Sequence, residues 1–588
     1  MQRIPRNPGG QARAAGAPRP RLRSRRARAA LSMGAVAALV VTGCASIPTS
    51  GPVHIAEGPT DEATDETAPV FAAPAPGASP EQIVTDFLAA GQGAADDYAA
   101  AREYLAPDLA DSWRPGQQTV VFSGEAGIQQ GLEEDQVRVS VDTRAEIDVD
   151  GIMDRKEPGT TDEFDLRLTQ VDGEWRISEA PDAVLIPAGN LDDVYQPYNL
   201  YFMEPGGQFA VPDPRWFPDR PVVSTQLTRA LLNGPAPYLE DSVRSHFPDG
   251  ADLADGTTVP VQDGEASVEM TIPEFSPTDL ETTEGMYGQL MLTLGDLPSV
   301  DDVAMTVNGS PLELAPDAAA ELPSTASSVP GRQVGLRDEE LVFHQGGQIS
   351  PVPELAGALD GRSPSAPAMD PDMEGFAALA DDAGTMVTFT TSEPQPQDRV
   401  SGSGLTDPSV DSRGWAWTAD DEGAVRAAAL AEPDRPALEV QADALEDTPI
   451  SSLRVSRGGT RALIVTDEGE DSRILVAGIV RGEDGEPERL NDPQLVDLGT
   501  IESPASAAWI SDSEFVAAAA GQDGATPQIY DVSGRHRSLP VVADGVQNVA
   551  GGDGEGEIYV ESDGEVRLLT GEAWSPQTDE ISDLAFAG

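Results

Sequence analysis

The side chains able to do chemistry are one thiol, four imidazoles and 101 carboxylates in 588 residues. The imidazoles, His54, His246, His344 and His536, fall in different parts of the chain. None has a second histidine at metal-ligand spacing, so each reads as a structural or surface residue rather than a ligand. A G-x-S-x-G elbow is absent; Gly402-Ser403-Gly404 lacks the flanking glycine spacing. Phosphate-loop and dinucleotide fingerprints are also missing. Asp148-Val149-Asp150-Gly151 and Asp484-Gly485-Glu486 evoke calcium loops but stop short of the full pattern with its distal glutamate, and they read as turns. Trp415 and Trp417, two apart on a strand, share one face and are expected to pack inside a sheet. A single lysine, Lys156, disfavours amine catalysis. The sequence therefore assigns no catalytic, cofactor-binding or metal residue, and a non-enzymatic protein is expected.

The thiol is different. Cys44 is the only cysteine, so internal disulfides and zinc–cysteine sites are excluded. It follows an apolar run, Leu31 to Val41, broken only by Ser32, and nine arginines with no acid lie upstream. As a helix the run would span about 16 Å, well short of the roughly 30 Å of a bilayer core. A basic flank, a short apolar core and small residues at the end make an export signal over residues 1–43. Val41-Thr42-Gly43-Cys44 resembles the bacterial lipobox. That resemblance implies an N-palmitoyl, S-diacylglycerol Cys44 as first residue of the mature chain, anchored at the outer face of the cell membrane. Ordinary secretion is favoured over twin-arginine export, because the residues after Ser24-Arg25-Arg26 fit the latter poorly.

Charge narrows the partners. Loss of residues 1–43 leaves 28 of the 37 basic residues against 101 acids, a formal charge of −73. Such a surface repels nucleic acid and anionic headgroups. No later segment approaches 18 consecutive apolar residues, so membrane contact is expected only at Cys44.

The elements that must carry these residues come in three groups. Residues 44–78, rich in Pro, Ala, Thr and acids, read as a disordered tether. Over 79–188, Ser79-Pro80-Glu81-Gln82 opens a helix with a capping box, and Ile83, Val84, Phe87 and Leu88 follow at helical spacing. A second helix is expected from Asp96 to Leu105, then alternating strands at Val137–Val141 and Phe164–Leu168. A turn at Asp172-Gly173 returns through Trp175 and Ile177, a hairpin resembling that of NTF2-like folds. Over 189–318 the pattern is again α+β. The Val222–Leu232 helix ends at Asn233-Gly234-Pro235, with strands at Tyr198–Phe202, Ala266–Ile272 and Val303–Val307 and a helix through Met286 and Leu294. Leu200-Tyr201-Phe202, Leu231-Leu232-Asn233-Gly234-Pro235 and Phe247-Pro248-Asp249-Gly250, in that order, resemble the GerMN domain.

After a linker over 319–330, residues 331–588 show short apolar strands centred near Val342, Ala377, Ala416, Arg454, Ala508 and Val549. Spacing near 40 residues predicts a β-propeller of about five to seven blades, with a pair of β-sandwiches as the alternative. The fold class is thus multidomain: two α+β domains, NTF2-like and GerMN-like, then an all-β propeller.

The mature start Ala45-Ser46-Ile47-Pro48-Thr49-Ser50-Gly51-Pro52-Val53 is similar to that of the actinobacterial LpqB lipoprotein family. So are Asp97-Tyr98, Ala101-Arg102, Tyr104-Leu105, Gly404-Leu405-Thr406-Asp407-Pro408-Ser409 and Ser456-Arg457-Gly458-Gly459-Thr460-Arg461. One departure stands out: Gly458 replaces the usual aspartate of a propeller turn. The resemblance implies an accessory factor of the MtrA–MtrB two-component system, with the extracellular part of an MtrB-like sensor kinase as partner. A cell-wall glycan is the alternative partner, in a peptidoglycan-binding or envelope-assembly role.

Overall fold

In the computed structural model, residues 72–588 are described, except 95–96, 208, 277–278, 315–321, 467–471, 498–503 and 520–523. Cys44 and His54 lie outside the described residues.

The amino-terminal helix forms where its cap predicts. Ser79 accepts a hydrogen bond from the Gln82 N–H at 3.3 Å, proline occupies the first turn, and Pro80–Ala90 buries Ile83, Val84, Phe87 and Ala90. The second helix is shorter than its periodicity suggests. Tyr98 sits in the left-handed region (φ 59°), so only Ala99–Arg102 are helical, followed by a separate turn of helix over Pro107–Ser112. A curved sheet receives these helices. Its strand order is Glu174–Glu179, Thr161–Val171, Gln136–Asp148, Gln118–Gln130 and Val184–Pro187, with Met153–Arg155 paired to the third. The last pairing is parallel and the others antiparallel. Residues from the segment read as a tether lie against this domain: Ala72 O accepts the Tyr104 hydroxyl at 2.6 Å, and the Gly77 N–H reaches Glu174 at 2.7 Å.

The second domain is built on a parallel pair, Glu265–Thr271 beside Asp302–Val307, joined by the helix Leu280–Leu294. Parallel neighbours need such a crossover. Leu280–Leu294 packs on the helix Val223–Asn233, which stops at Gly234 (φ 98°) as its sequence ending demands. A two-stranded arm, Tyr195–Met203 with Ala210–Pro218, leads into the domain.

Among the described residues six antiparallel sheets follow, each of four or five strands, radially ordered as a propeller. Blade 1 holds Gln333–Arg337, Glu340–Gln345 and Gln348–Pro351, and its inner strand is Ser582–Ala585. Blades 2 to 6 start at inner strands Ser365–Met369, Ser409–Val410, Ile450–Val455, Pro504–Trp509 and Asn548–Gly551. Alanine, valine, leucine and isoleucine alternate through the middle strands and bury on both faces, because each blade is covered by its neighbours. The linker is fastened too: Ser327 bonds Asp512 and the Val329 N–H reaches Asp553.

Candidate functional site

The sequence-selected residues are not brought together. His246 lies half-buried in the GerMN-like domain, where its ring packs against Gly285; burial lowers its pKa. His344 is fully buried in blade 1, its Nδ1 2.7 Å from the Gln333 Oε1. His536 is exposed on an outer strand of blade 5, its ring 5.5 Å from Tyr530. Among the described residues no group of three or more His, Cys, Asp or Glu side chains is placed to hold a metal ion. Ser403 donates to the exposed Asp421 carboxylate at 3.0 Å, across from the loop between Trp415–Ala419 and Val425–Ala429.

The acid-rich turns have other duties. Asp148 accepts the N–H groups of Asp150 and Ile152, both at 2.9 Å, closing a tight turn around Gly151. That turn docks the second domain: Asp150 accepts Asn233 Nδ2 at 2.7 Å, and Gly151 O accepts the Trp216 N–H at 2.8 Å. In blade 4 Glu486 pairs with Arg435, which stacks 5.2 Å over Trp415. Trp415 and Trp417 are both buried as strand packing. Lys156 is bound between Glu146 (2.8 Å) and Asp154 (2.7 Å), which raise its pKa through those hydrogen bonds.

Arginines not singled out by spacing organise the molecule instead. In blade 5, Ser533 O accepts Arg155 at 2.9 Å and the Trp216 indole at 3.4 Å. Arg535 lies 5.3 Å over the Trp216 ring and bonds Gln196 at 2.6 Å. Blade 4 contributes Arg461, almost fully buried, which bonds Pro212 O of the arm and Asp512 O of blade 5. Arg489 pairs with Asp241 at 2.7 Å, and Asn491 donates to the carbonyls of Tyr238 and Glu240. Arg413 of blade 3 pairs with the buried Glu204. Buried guanidinium groups with several carbonyl acceptors fix orientation, because an arginine fork is rigid and leaving it unbonded is costly. Both α+β domains are thus held against one side of the propeller.

Beside Arg413 lies a cleft of about 650 Å³ between blades 2 and 3, closed by the Asp484–Glu486 turn of blade 4. Six carboxylates (Asp370, Glu374, Glu393, Glu432, Asp484, Glu486) and two arginines line it around Trp415. On the other side of the disc the loops between second and third strands expose Asp338, Glu339, Asp381, Asp382, Asp421, Glu422 and Asp563. The axial channel, ringed by inner strands, holds Asp407, Asp583, Arg454 and Arg457. Such walls can bind broad cationic surfaces.

The fold defines a class: two α+β domains locked by arginines onto a six-sheet propeller. Residues 73–192 match the family model described as Lipoprotein LpqB, N-terminal domain, and 339–583 match Lipoprotein LpqB beta-propeller domain. Residues 199–313 match Sporulation and spore germination. Curated relatives include Lipoprotein LpqB of Streptomyces avermitilis, 29% identical over 95% of this chain and 99% of that protein. Lipoprotein LpqB of Thermobifida fusca is 28% identical over 78% and 82%. Among solved structures, TolB from Acinetobacter baumannii aligns with 46% of this chain and 69% of its own, at 13% identity and a TM-score of 0.33. The chain belongs to the LpqB lipoprotein family.

Proposed function

We propose that this protein is exported, lipid-anchored through Cys44 at the extracytoplasmic face, and modulates an MtrB-like sensor kinase by protein–protein contact without catalysing a reaction. The observation that supports this reading is the docking pattern. Two whole domains are committed to one side of the propeller, while the opposite loops and the blade 2–3 cleft present carboxylates over a broad area. Broad charged surfaces suit protein recognition, and confinement to one membrane raises effective concentration so that a weak interface is occupied.

The test is binding of the acylated protein, in nanodiscs, to the purified external domain of the kinase and, separately, to purified peptidoglycan. Saturable, salt-sensitive kinase binding supports the proposal. Tight glycan binding with no kinase contact replaces it with the cell-wall reading.

A further inference from the structure

The inner strands of blades 1 and 3 are the most briefly paired, Ser409–Val410 of blade 3 aligning with its neighbour at two positions. Ser582–Ala585 aligns with its neighbour at only two positions, Val334 with Ala585 and Leu336 with Ser582, across an irregularity. The inner strand of blade 4 aligns at five, from Ile450–Thr466 to Val455–Ala462. A short ladder leaves few backbone bonds to resist local opening. Side chains make up the difference. Ile581, Leu584, Phe586 and Ala587 are buried, and Phe586 lies 5.9 Å from the Tyr559 ring of blade 6. The polar tie is Glu561, also of blade 6, whose carboxylate accepts the Leu584 N–H at 2.5 Å.

We infer that residues 582–588 form a proton-controlled latch on the propeller ring, docked most firmly when Glu561 is protonated and loosened when Glu561 ionises. The groups around Glu561 give the direction. Asp583, on the latch itself, sits in the left-handed region (φ 54°), and Asp407 approaches from the loop before blade 3. Arg454 is 3.2 Å from Asp407 and bonds that loop's carbonyls, so the nearby cation is already engaged. Across the seam stand Asn548, which donates to Leu584 O, then Tyr559 and the Gln333–His344 pair. Ionised Glu561 is thus a largely desolvated anion beside two carboxylates, only partly offset by the Leu584 and Asp583 N–H groups it accepts, and it is relieved when the strand departs and water enters. Burial, with lesser repulsion from Asp583 and Asp407, pushes the Glu561 pKa from 4.5 to about 7.

A carboxyl group with a raised folded-state pKa stabilises the docked state fully below its open-state value, and that stability is lost as pH rises towards the folded value. Between pH 6 and pH 8 the opening equilibrium should rise roughly tenfold. Burial holds the His344 pKa below its usual range.

Hydrogen exchange by mass spectrometry on the full chain, corrected for intrinsic exchange, tests this. Protection of 581–588 should fall about tenfold from pH 6 to pH 8, while that of Trp415–Ala419 in blade 3 holds. Glu561→Gln should remove most of the pH dependence. Asp407→Asn, which deletes one repelling charge, should move its midpoint to lower pH. Equal native protection at both pH values overturns the latch, and so does full pH dependence retained in Glu561→Gln. If Glu561→Gln does not fold, an unmoved midpoint in Asp407→Asn overturns it instead.

Discussion

Replacing Asp411 by asparagine tests whether the propeller depends on buried charge as the structure implies. Asp411 is completely buried and serves four donors. One oxygen accepts the N–H groups of Arg413 and Trp415, both at 2.9 Å. The other accepts the Trp417 indole at 2.9 Å and Arg481 at 2.5 Å. Arg481 is itself buried, its other partners being the carbonyls of Gly459 and Gly485 and the Trp417 ring, 5.7 Å away. Asparagine keeps the shape but offers one acceptor oxygen, and its amide points hydrogens at two donors. The indole or the guanidinium then loses its partner, and the Arg481 charge is left uncompensated. Stranding one member of a buried pair costs about 3–5 kcal/mol. For a domain of this size that lowers the melting temperature on the order of 10 °C. Near-ultraviolet circular dichroism, which reports all seven tryptophans, Trp415 and Trp417 among them, follows the transition. Asp421→Asn is the control: Asp421 is exposed and bonds only the Ser403 hydroxyl, so its change should stay within about 0.5 kcal/mol. If Asp411→Asn melts within about 1 kcal/mol of the native protein, buried charge does not hold blades 3 and 4 together and the reasoning fails.

Gly478 of blade 4 lies tight against the GerMN-like domain: an added Cβ would lie 2.3 Å from Tyr238 O and 2.5 Å from Ser242 Oγ. Gly478→Ala should therefore cost about 1–3 kcal/mol and raise exchange at Tyr238–Ser242; unaltered exchange there would show that the contact is dispensable. Burial lowers the His344 pKa, so its neutral ring stabilises the fold above about pH 6.5 and this contribution fades as pH falls. His344→Gln should thus be most destabilising near pH 7.5 and less so near pH 5, and a cost constant across that range contradicts the assignment. Cys44→Ala should release the protein from membranes under a high-salt wash, measured by immunoblot; retention would place the anchor elsewhere.

What could be read from the chain depended on how local the determining contacts are. The Ser79 cap, the Gly234 stop and the Asp172-Gly173 turn involve neighbours in sequence, and the structure uses each as written. The roughly 40-residue spacing conveyed the propeller, yet the marked centres fall on different strands: Val342 on a third strand, Ala377 and Ala416 on second strands, the rest on inner strands. That mixture, with the long blade 4, is why the spacing looked uneven. Docking was not legible, because contacts such as Arg461 with Pro212 join residues 249 apart, and nothing marks one arginine among many. The inner strand Ser582–Ala585 was hidden for the same reason: its partner Gln333–Arg337 is far away, and Asp583 interrupts the apolar pattern.

The arm strand Ala210–Pro218 shows most sharply where local rules mislead. Its sequence, Ala-Val-Pro-Asp-Pro-Arg-Trp-Phe-Pro, argues against a strand, since proline cannot donate to a ladder. The register resolves the conflict. Pro212, Pro214 and Pro218 occupy the same alternate positions as Trp216, paired with Tyr201, Asn199, Tyr195 and Pro197. The Trp216 N–H points away from the partner strand and donates to Gly151 O of the first domain. At this parity the backbone hydrogen is turned outward, so the prolines forfeit no ladder bond and expose an edge that a further strand cannot extend. Its carbonyls remain available, and Pro212 O is the one Arg461 takes from the propeller. The prolines that disguise the strand in sequence thus prevent edge pairing, while the arm's unpaired groups are spent on docking its neighbours on either side.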